Sequence, residues 1–134
     1  MKNTYIMRAY VLLILIFILI SCSKNENSDR NIGMVGICEV IIPDTVTSLE
    51  KIQVYAKAEA TNGCWGNLHL ELNKVNEFEY SIKAFGTFES SGACPEVMVY
   101  KDSVLDFQPM QKGICIFKIS QSPNLIVIDT LVIE

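Results

Sequence analysis

The chain has 134 residues, of which 50% are hydrophobic, and carries a formal net charge of −4. This length is typical of a single domain. The acidic balance argues against a nucleic-acid-binding protein and against a polybasic grip on anionic lipid, since both depend on clustered lysine and arginine.

The first 21 residues have the pattern of a secretory signal peptide. Lys2 and Arg8 precede an apolar run over residues 9–20, and no acidic residue occurs before Glu26. A basic segment followed by an apolar segment is the order that secretion signals share. About 12 apolar residues rising about 1.5 Å each cover only about 18 Å, which is too short for a hydrocarbon core roughly 30 Å thick. The sequence therefore predicts a cleaved signal helix rather than a membrane-spanning one.

The apolar run ends in Leu19-Ile20-Ser21-Cys22, which resembles the lipobox of bacterial lipoproteins. An ordinary cleavage site has small residues one and three positions before the cut, but here the large residue Leu19 stands three positions before it. The resemblance implies cleavage before Cys22, a diacylglycerol on its sulfur and an acyl chain on its new amino group. Two or more acyl chains hold a protein on a membrane far better than one does.

The mature chain needs this lipid to hold a membrane. Removing Lys2 and Arg8 with the leader leaves 9 of the 11 basic residues and all 15 acidic ones, which is a net charge of −6. We therefore expect membrane attachment through Cys22 alone, and no cofactor other than its covalent lipid.

Residues 22–33 form the expected tether after the lipidated cysteine. They are almost entirely polar and cannot bury enough surface to order themselves. Lys24 followed by Glu26 resembles, in part, the signature that sends Bacteroidota lipoproteins to the outer face of the outer membrane; Asn25 stands where that signature usually has an acid. The resemblance implies a surface-exposed outer-membrane protein, with the periplasmic face as the alternative.

The remaining residues, 34–134, are predicted to form one β domain. Three segments alternate between apolar and polar side chains, as half-buried strands do; they are residues 52–60, 68–73 and 77–84. Four less regular strand-like segments cover residues 37–42, 97–107, 114–119 and 125–133, with a change of alternation near Asp102 that predicts a β-bulge or a break in the strand. About seven strands without a helical pattern predict an antiparallel two-sheet sandwich of immunoglobulin-like type, with a small barrel as the alternative.

Four cysteines lie in this domain: Cys38, Cys64, Cys94 and Cys115. In an exported chain they indicate a disulfide framework, and three pairings are open. Cys64 and Cys94 lie at strand ends beside loops, whereas Cys38 and Cys115 share the parity of apolar neighbours within strands. Like environments favour Cys64–Cys94 and Cys38–Cys115, with buried free thiols as the alternative. A zinc site is not expected, because there is no C-x-x-C pair and only one histidine.

The domain carries four short motifs: Cys64-Trp65-Gly66, Gly92-Ala93-Cys94-Pro95, Phe107-Gln108-Pro109 before Gly113, and Asp129-Thr130-Leu131-Val132. Together they resemble a group of small Bacteroidota lipoproteins with an immunoglobulin-like domain, over about residues 42–133. The resemblance implies that fold, a cell-envelope location and a central disulfide between Cys64 and Cys94. The group has no settled activity, so the resemblance implies no chemistry.

Catalytic and metal-binding motifs are absent from the sequence. His69 has Glu71 two residues further on the same side of a predicted strand, but a general base also needs a nucleophile or substrate cleft. Ser90 and Ser91 lack the G-x-S-x-G turn of hydrolases, and no acidic calcium loop occurs. We therefore expect a protein that is not an enzyme and binds no metal.

Trp65 is the residue whose type best suits recognition. It follows Cys64 near a loop, where it either packs on the disulfide or stands out as a binding anchor. The sequence favours a lipid-anchored, non-enzymatic binding or structural module of the cell envelope, with a protein or glycan as its partner. The alternative is an inhibitor or ligand-capture protein that acts through disulfide-braced loops near Cys64-Trp65 and from Ser90 to Cys94, because a bridge reduces the entropy cost of binding.

Overall fold

The computed structural model describes residues 29–134, so the predicted signal peptide, Cys22 and the first part of the tether lie outside the described residues. The strands are β1 (Asp29–Ile41), β2 (Thr45–Val46), β3 (Ile52–Ala60), β4 (Trp65–Lys74), β5 (Glu79–Ser90), β6 (Val99–Phe107), β7 (Gly113–Ser122) and β8 (Leu125–Ile133). The predicted all-β class is confirmed. Over residues 29–134, no helix is long and apolar enough to cross a membrane.

The strands form one connected sheet. Seven of them follow the order β2-β8-β7-β5-β1-β3-β6, and β4 pairs with the other side of β5. Most neighbours are antiparallel, whereas β5–β7 and β2–β8 are parallel. β1 joins the two parts of the path, because residues 29–35 pair with β5 and residues 36–41 pair with β3. The sheet curls into a half-barrel, so the predicted sandwich of two separate sheets is not confirmed.

The core lies on the inner face of this curled sheet. β3 contributes Val54 and a row of buried alanines, as the alternation predicted. Tyr80, Phe107 and Phe117 form an aromatic cluster with ring centroids 4.6 to 5.5 Å apart. Burying side chains of this size contributes about 1.5–3 kcal/mol each. The alanines leave room for these rings inside a small domain.

The first strand begins earlier than the sequence indicated. Residues 29–33, which we predicted as the end of the tether, pair with β5. Arg30, Asn31 and Ile32 are all exposed, so neither face of this segment shows the apolar alternation by which strands are recognised. The segment is held instead by backbone pairing with β5. This part of β5 is free to pair with β1 because β7 pairs with β5 only as far as Ile82.

The predicted bulge or break near Asp102 is wrong. β6 pairs with β3 in one unbroken register along its whole length. The apparent change of alternation arose because Val104 lies on the outer face and is 52% exposed. A bulge occurs instead in β1, where the register shifts between Ile37 and Glu39.

The predicted Cys38–Cys115 disulfide is wrong, because both cysteines are free in the structure. The bulge in β1 is the structural reason. Ile37 and Val40 point inward on either side of the extra residue, so Cys38 no longer shares the parity of Val40. Its exposed thiol donates to the carbonyl oxygen of Lys57 at 3.5 Å. Cys115 lies in the core with 2% of its surface exposed. The two side chains therefore point in different directions.

We predict three classes of cysteine in protein exported with a general secretory signal in place of residues 1–22. Iodoacetamide should modify Cys38 in the folded protein and Cys115 only after unfolding, whereas Cys64 and Cys94 should react only after reduction. Mass spectrometry of the alkylated peptides measures this order. Protein without any free thiol before reduction would restore the Cys38–Cys115 pairing.

The alkylation of Cys38 should also depend on pH. Partial desolvation, followed by the charge of Glu59, raises the pKa of the Cys38 thiol above its ordinary value. Because only the thiolate reacts, its alkylation rate should still be rising at a pH where an unperturbed thiol has levelled off. A peptide of residues 34–42 is the matched control.

Candidate functional site at the Trp65 end of the sheet

Trp65, the first residue of β4, packs on two glycines that face each other across β1 and β5. Gly33 and Gly86 are direct partners in the ladder, and we call them the glycine pair. A Cβ atom on Gly33 would lie 2.9 Å from Cη2 of Trp65, and one on Gly86 would lie 3.1 Å from its Cε3. The first distance is shorter than a carbon–carbon contact allows, and the second is tighter than most such contacts. The missing side chains therefore make the space that the indole occupies.

Two further neighbours fix the position of Trp65. The ring of Phe88 meets it edge-on, with centroids 5.3 Å apart and planes at 65°. Leu68 fills the other side of Gly86, where an added Cβ would lie only 2.6 Å from its Cδ2. Trp65 is nevertheless only half-buried. The ring is thus held by packing while part of it faces solvent.

The predicted Cys64–Cys94 disulfide is confirmed, with Cα atoms 5.3 Å apart. The bridge ties the turn before β4 to the connection between β5 and β6. Backbone bonds reinforce it, because Gly63 donates to Pro95 at 2.8 Å and Glu89 donates to Cys64 at 2.9 Å. It joins residues separated by 30 positions, and closing a loop of that length contributes about 3.5 kcal/mol in the chain-entropy model. Both loops predicted for ligand capture are therefore held together.

A cavity of about 260 Å³ opens beside Trp65. It lies where β1 leaves β5 and the turn between β7 and β8 comes close, so that a Cβ on Gly36 would lie 2.9 Å from the carbonyl oxygen of Gln121. Its apolar wall includes Met34, Val35, Ala60, Trp65 and Pro123. Its polar rim includes Glu59, Thr61, Gln121 and Ser122. Ligand pockets start at about 300 Å³, so this cavity suits one small ring or one side chain.

His69 lies on the outer face of the sheet, away from this cavity. Its ring stacks on Phe85 with centroids 5.8 Å apart. Its Nε2 lies 3.6 Å from a carboxylate oxygen of Glu71, and its Nδ1 lies 3.2 Å from the carbonyl oxygen of Asn67. Ser90 donates instead to the carbonyl oxygen of Gly92 at 2.8 Å. The structure therefore does not bring His69 and Ser90 together.

Two acidic side chains of the strands form ion pairs with lysines at the surface. Lys118 donates to Glu79 at 2.6 Å, which lowers the pKa of that carboxyl group. Lys51 lies 2.8 Å from Asp106. Over residues 29–134, no three histidine, cysteine, aspartate or glutamate side chains come close enough to hold a metal ion.

The glycine pair was not predicted from the sequence. An isolated glycine within an alternating strand marks a close backbone approach, and Gly86 interrupts Phe85 and Thr87 in just such a run. The partner Gly33 gave no signal, because it lies in the segment that we predicted as tether. The polar rim was also invisible, since Glu59 and Gln121 come from strands far apart in the chain.

Neither a family model, nor a curated protein, nor a solved structure matches this chain.

We predict that Gly86→Ala displaces Trp65. The new methyl group would meet Leu68 and Trp65 at less than contact distance, and overpacking of this kind costs about 1–3 kcal/mol of unfolding free energy. Urea denaturation measures this loss. Since Trp65 is the single tryptophan, its fluorescence should also shift to longer wavelength in the folded variant.

Gly66→Ala is the matched control for this change. Gly66 is the next residue after Trp65, but nothing lies within 4 Å of a Cβ placed there. Its unfolding free energy should change by no more than about 0.5 kcal/mol, as is usual for open surface positions. Equal effects of the two alanines would mean that the glycine pair does not hold Trp65.

Proposed function

We propose that this protein is a lipid-anchored, non-enzymatic binding module of the cell envelope, which captures its ligand at the Trp65 cavity. The observation that carries the proposal is a partly exposed indole, held on the glycine pair beside an open cavity and next to a disulfide. Rigid aromatic side chains in fixed pockets are typical anchors of recognition. A preorganised site also loses less entropy on binding.

The proposed location is the outer membrane, with the domain on the cell surface and the periplasmic face as the alternative. The lipobox at Cys22 and the tether that follows support it, and so does the Cys64–Cys94 bridge, because structural disulfides persist in oxidising compartments. The acidic mature domain has no basic cluster for anionic lipid, which leaves the acyl chains on Cys22 as the membrane contact.

We further propose that the fold is related to the immunoglobulin-like domain of small Bacteroidota lipoproteins. The Cys64–Cys94 bridge agrees with the central disulfide that this resemblance implies. The curled sheet also has a strand, β1, that contributes to two sets of strands. In this proposal the half-barrel corresponds to a two-sheet sandwich. β1 belongs to both sheets and so joins them along one side.

The chemistry of the cavity favours a sugar ring or a single exposed side chain as the bound group. An apolar wall with Trp65 gives a ring something to stack on, and Glu59, Thr61 and Gln121 supply acceptors and donors at the rim. A glycan or a protein surface provides such groups. An inhibitor that inserts its braced loops into a partner is the second candidate, and the bridge between those loops favours it.

The tether limits where this site lies relative to the membrane. Six residues separate Cys22 from Asp29, and the seven steps along an extended chain between them span at most about 25 Å. Asp29 pairs with Ser90, close to the disulfide loop. The Trp65 end of the domain is therefore the end nearer the bilayer, which favours ligands that lie close to the outer-membrane surface.

We predict that Cys22→Ala abolishes lipidation and maturation. Without the thiol no diacylglycerol can be transferred, so the full-length chain should fail to incorporate an alkyne-labelled fatty acid. Cleavage before residue 22 should fail as well, so the variant should keep the mass of the precursor, and globomycin treatment of the unchanged chain should accumulate the same precursor. A Cys22→Ala chain that still incorporates the fatty acid, or that is still cut before residue 22, would refute the anchor.

We predict that Trp65→Ala weakens ligand binding by about 30-fold or more, since loss of an anchor of this type costs about 2 kcal/mol. A glycan array followed by titration of the best ligand measures the change. Leu68→Ala is the control, because Leu68 also packs on Gly86 but does not line the cavity. At a temperature where both variants are folded, equal weakening would show that Trp65 acts only through stability.

A further inference from the structure

Four consecutive aliphatic residues at the start of β8 are exposed. The exposed fractions are 52% for Leu125, 61% for Ile126, 36% for Val127 and 63% for Ile128. We call residues 125–128 the β8 edge. Ile126 and Ile128 lie on the outer face, where Ile114 and Ile116 of β7 add exposed apolar surface on the other side of Lys118. A soluble domain seldom leaves a contiguous patch of this kind without a partner.

The backbone of the β8 edge is also unpaired on one side. β7 pairs with it on one side, but on the other side β2 pairs only with Val132 and Ile133. No strand within residues 29–134 covers residues 125–131 there. A free strand edge presents a row of unused N–H and C=O groups, to which another strand can add.

The other free strands carry charges that oppose such pairing, and the β8 edge does not. β6 has Lys101, Asp102 and Asp106, and β4 has Glu71 and Lys74. From Ser120 to Ile128 there is no charged residue at all. Lys118, the charge on the neighbouring outer face of β7, is bound to Glu79 at 2.6 Å.

We propose that the β8 edge is the contact between two copies of this chain, which pair antiparallel along residues 125–128. Charge limits where two copies can meet, because each mature chain carries a net charge of −6 and most of its surface repels an identical one. The β8 edge has no charged residue, and Lys118 and Glu79, which lie beside it on the outer face, neutralise each other. A two-fold contact also uses the same patch on both partners, so no second, complementary surface is needed.

The sequence of the edge favours one register. With the two-fold axis at Val127, this residue faces its own copy, and Ile126 of each chain faces Ile128 of the other. Aliphatic pairs of this kind, directly opposite each other on one face, stabilise antiparallel ladders. In this register Asp129 lies opposite Leu125 at the end of the ladder, whereas a shift of two residues in one direction would place it opposite Val127 inside the ladder, where a charged side chain would have to be buried without a partner.

Disulfide capture in the full-length chain tests this contact. Cys38→Ser removes the exposed thiol, and Val127→Cys then places a new thiol next to the proposed axis. Membranes are oxidised with copper phenanthroline and analysed on a non-reducing gel. Val104→Cys on β6 is the matched control, because Val104 is also an exposed valine on a free strand. Cys38→Ser alone gives the background from all other cysteines.

We expect roughly tenfold or more dimer for Val127→Cys than for Val104→Cys, since a thiol held opposite its copy has a much higher effective concentration. Adding Ile126→Lys and Ile128→Lys should reduce this band to the control level, while the fluorescence of Trp65 shows that the domain remains folded. Equal or absent dimers at the two positions would overturn the proposal. So would a dimer that resists the lysines, or cross-linking of Val127→Cys to a protein of another mass.

Discussion

β1 divides its backbone hydrogen bonds between two neighbours, and most other features of the molecule depend on that division. Its first half pairs with β5 and its second half with β3. The first half places Gly33 beneath Trp65. The departure from β5 after Val35 opens the cavity, and the bulge in the second half turns Cys38 outward. A straight β1 that stayed beside β5 would keep Gly33 beneath Trp65 but remove the cavity and the outward turn of Cys38.

The parts of the fold that were predicted from the sequence are those in which local pattern and tertiary environment agree. β3 has one wet face and one buried face, so its alternation identified both the strand and its core residues. Cys64 and Cys94 lie beside loops at one end of the sheet, and their similar surroundings led to the correct pairing. In each case the residues within a few positions along the chain indicate the environment of the side chains concerned.

The missed parts depend on pairing between distant strands. Residues 29–33 form a strand only because β5 has a vacant neighbour there, and a strand exposed on both faces has no apolar pattern. The bulge at Cys38 shifts parity by one residue, which no composition rule records. The glycine pair has meaning only once Gly33 and Gly86 are known to be opposite each other. Register, rather than residue type, decided these outcomes.

The same topology places the two proposed contact surfaces next to each other. β7 runs parallel to β5, so β8 begins at the end of the sheet where β1 also begins. The turn between β7 and β8 lines the cavity with Gln121 and Pro123, and the β8 edge starts directly after it at Leu125. A second copy on that edge would therefore restrain one wall of the cavity. Ligand binding and pairing of two chains would then be linked, because each would order the same turn and reduce the entropy that the other has to lose.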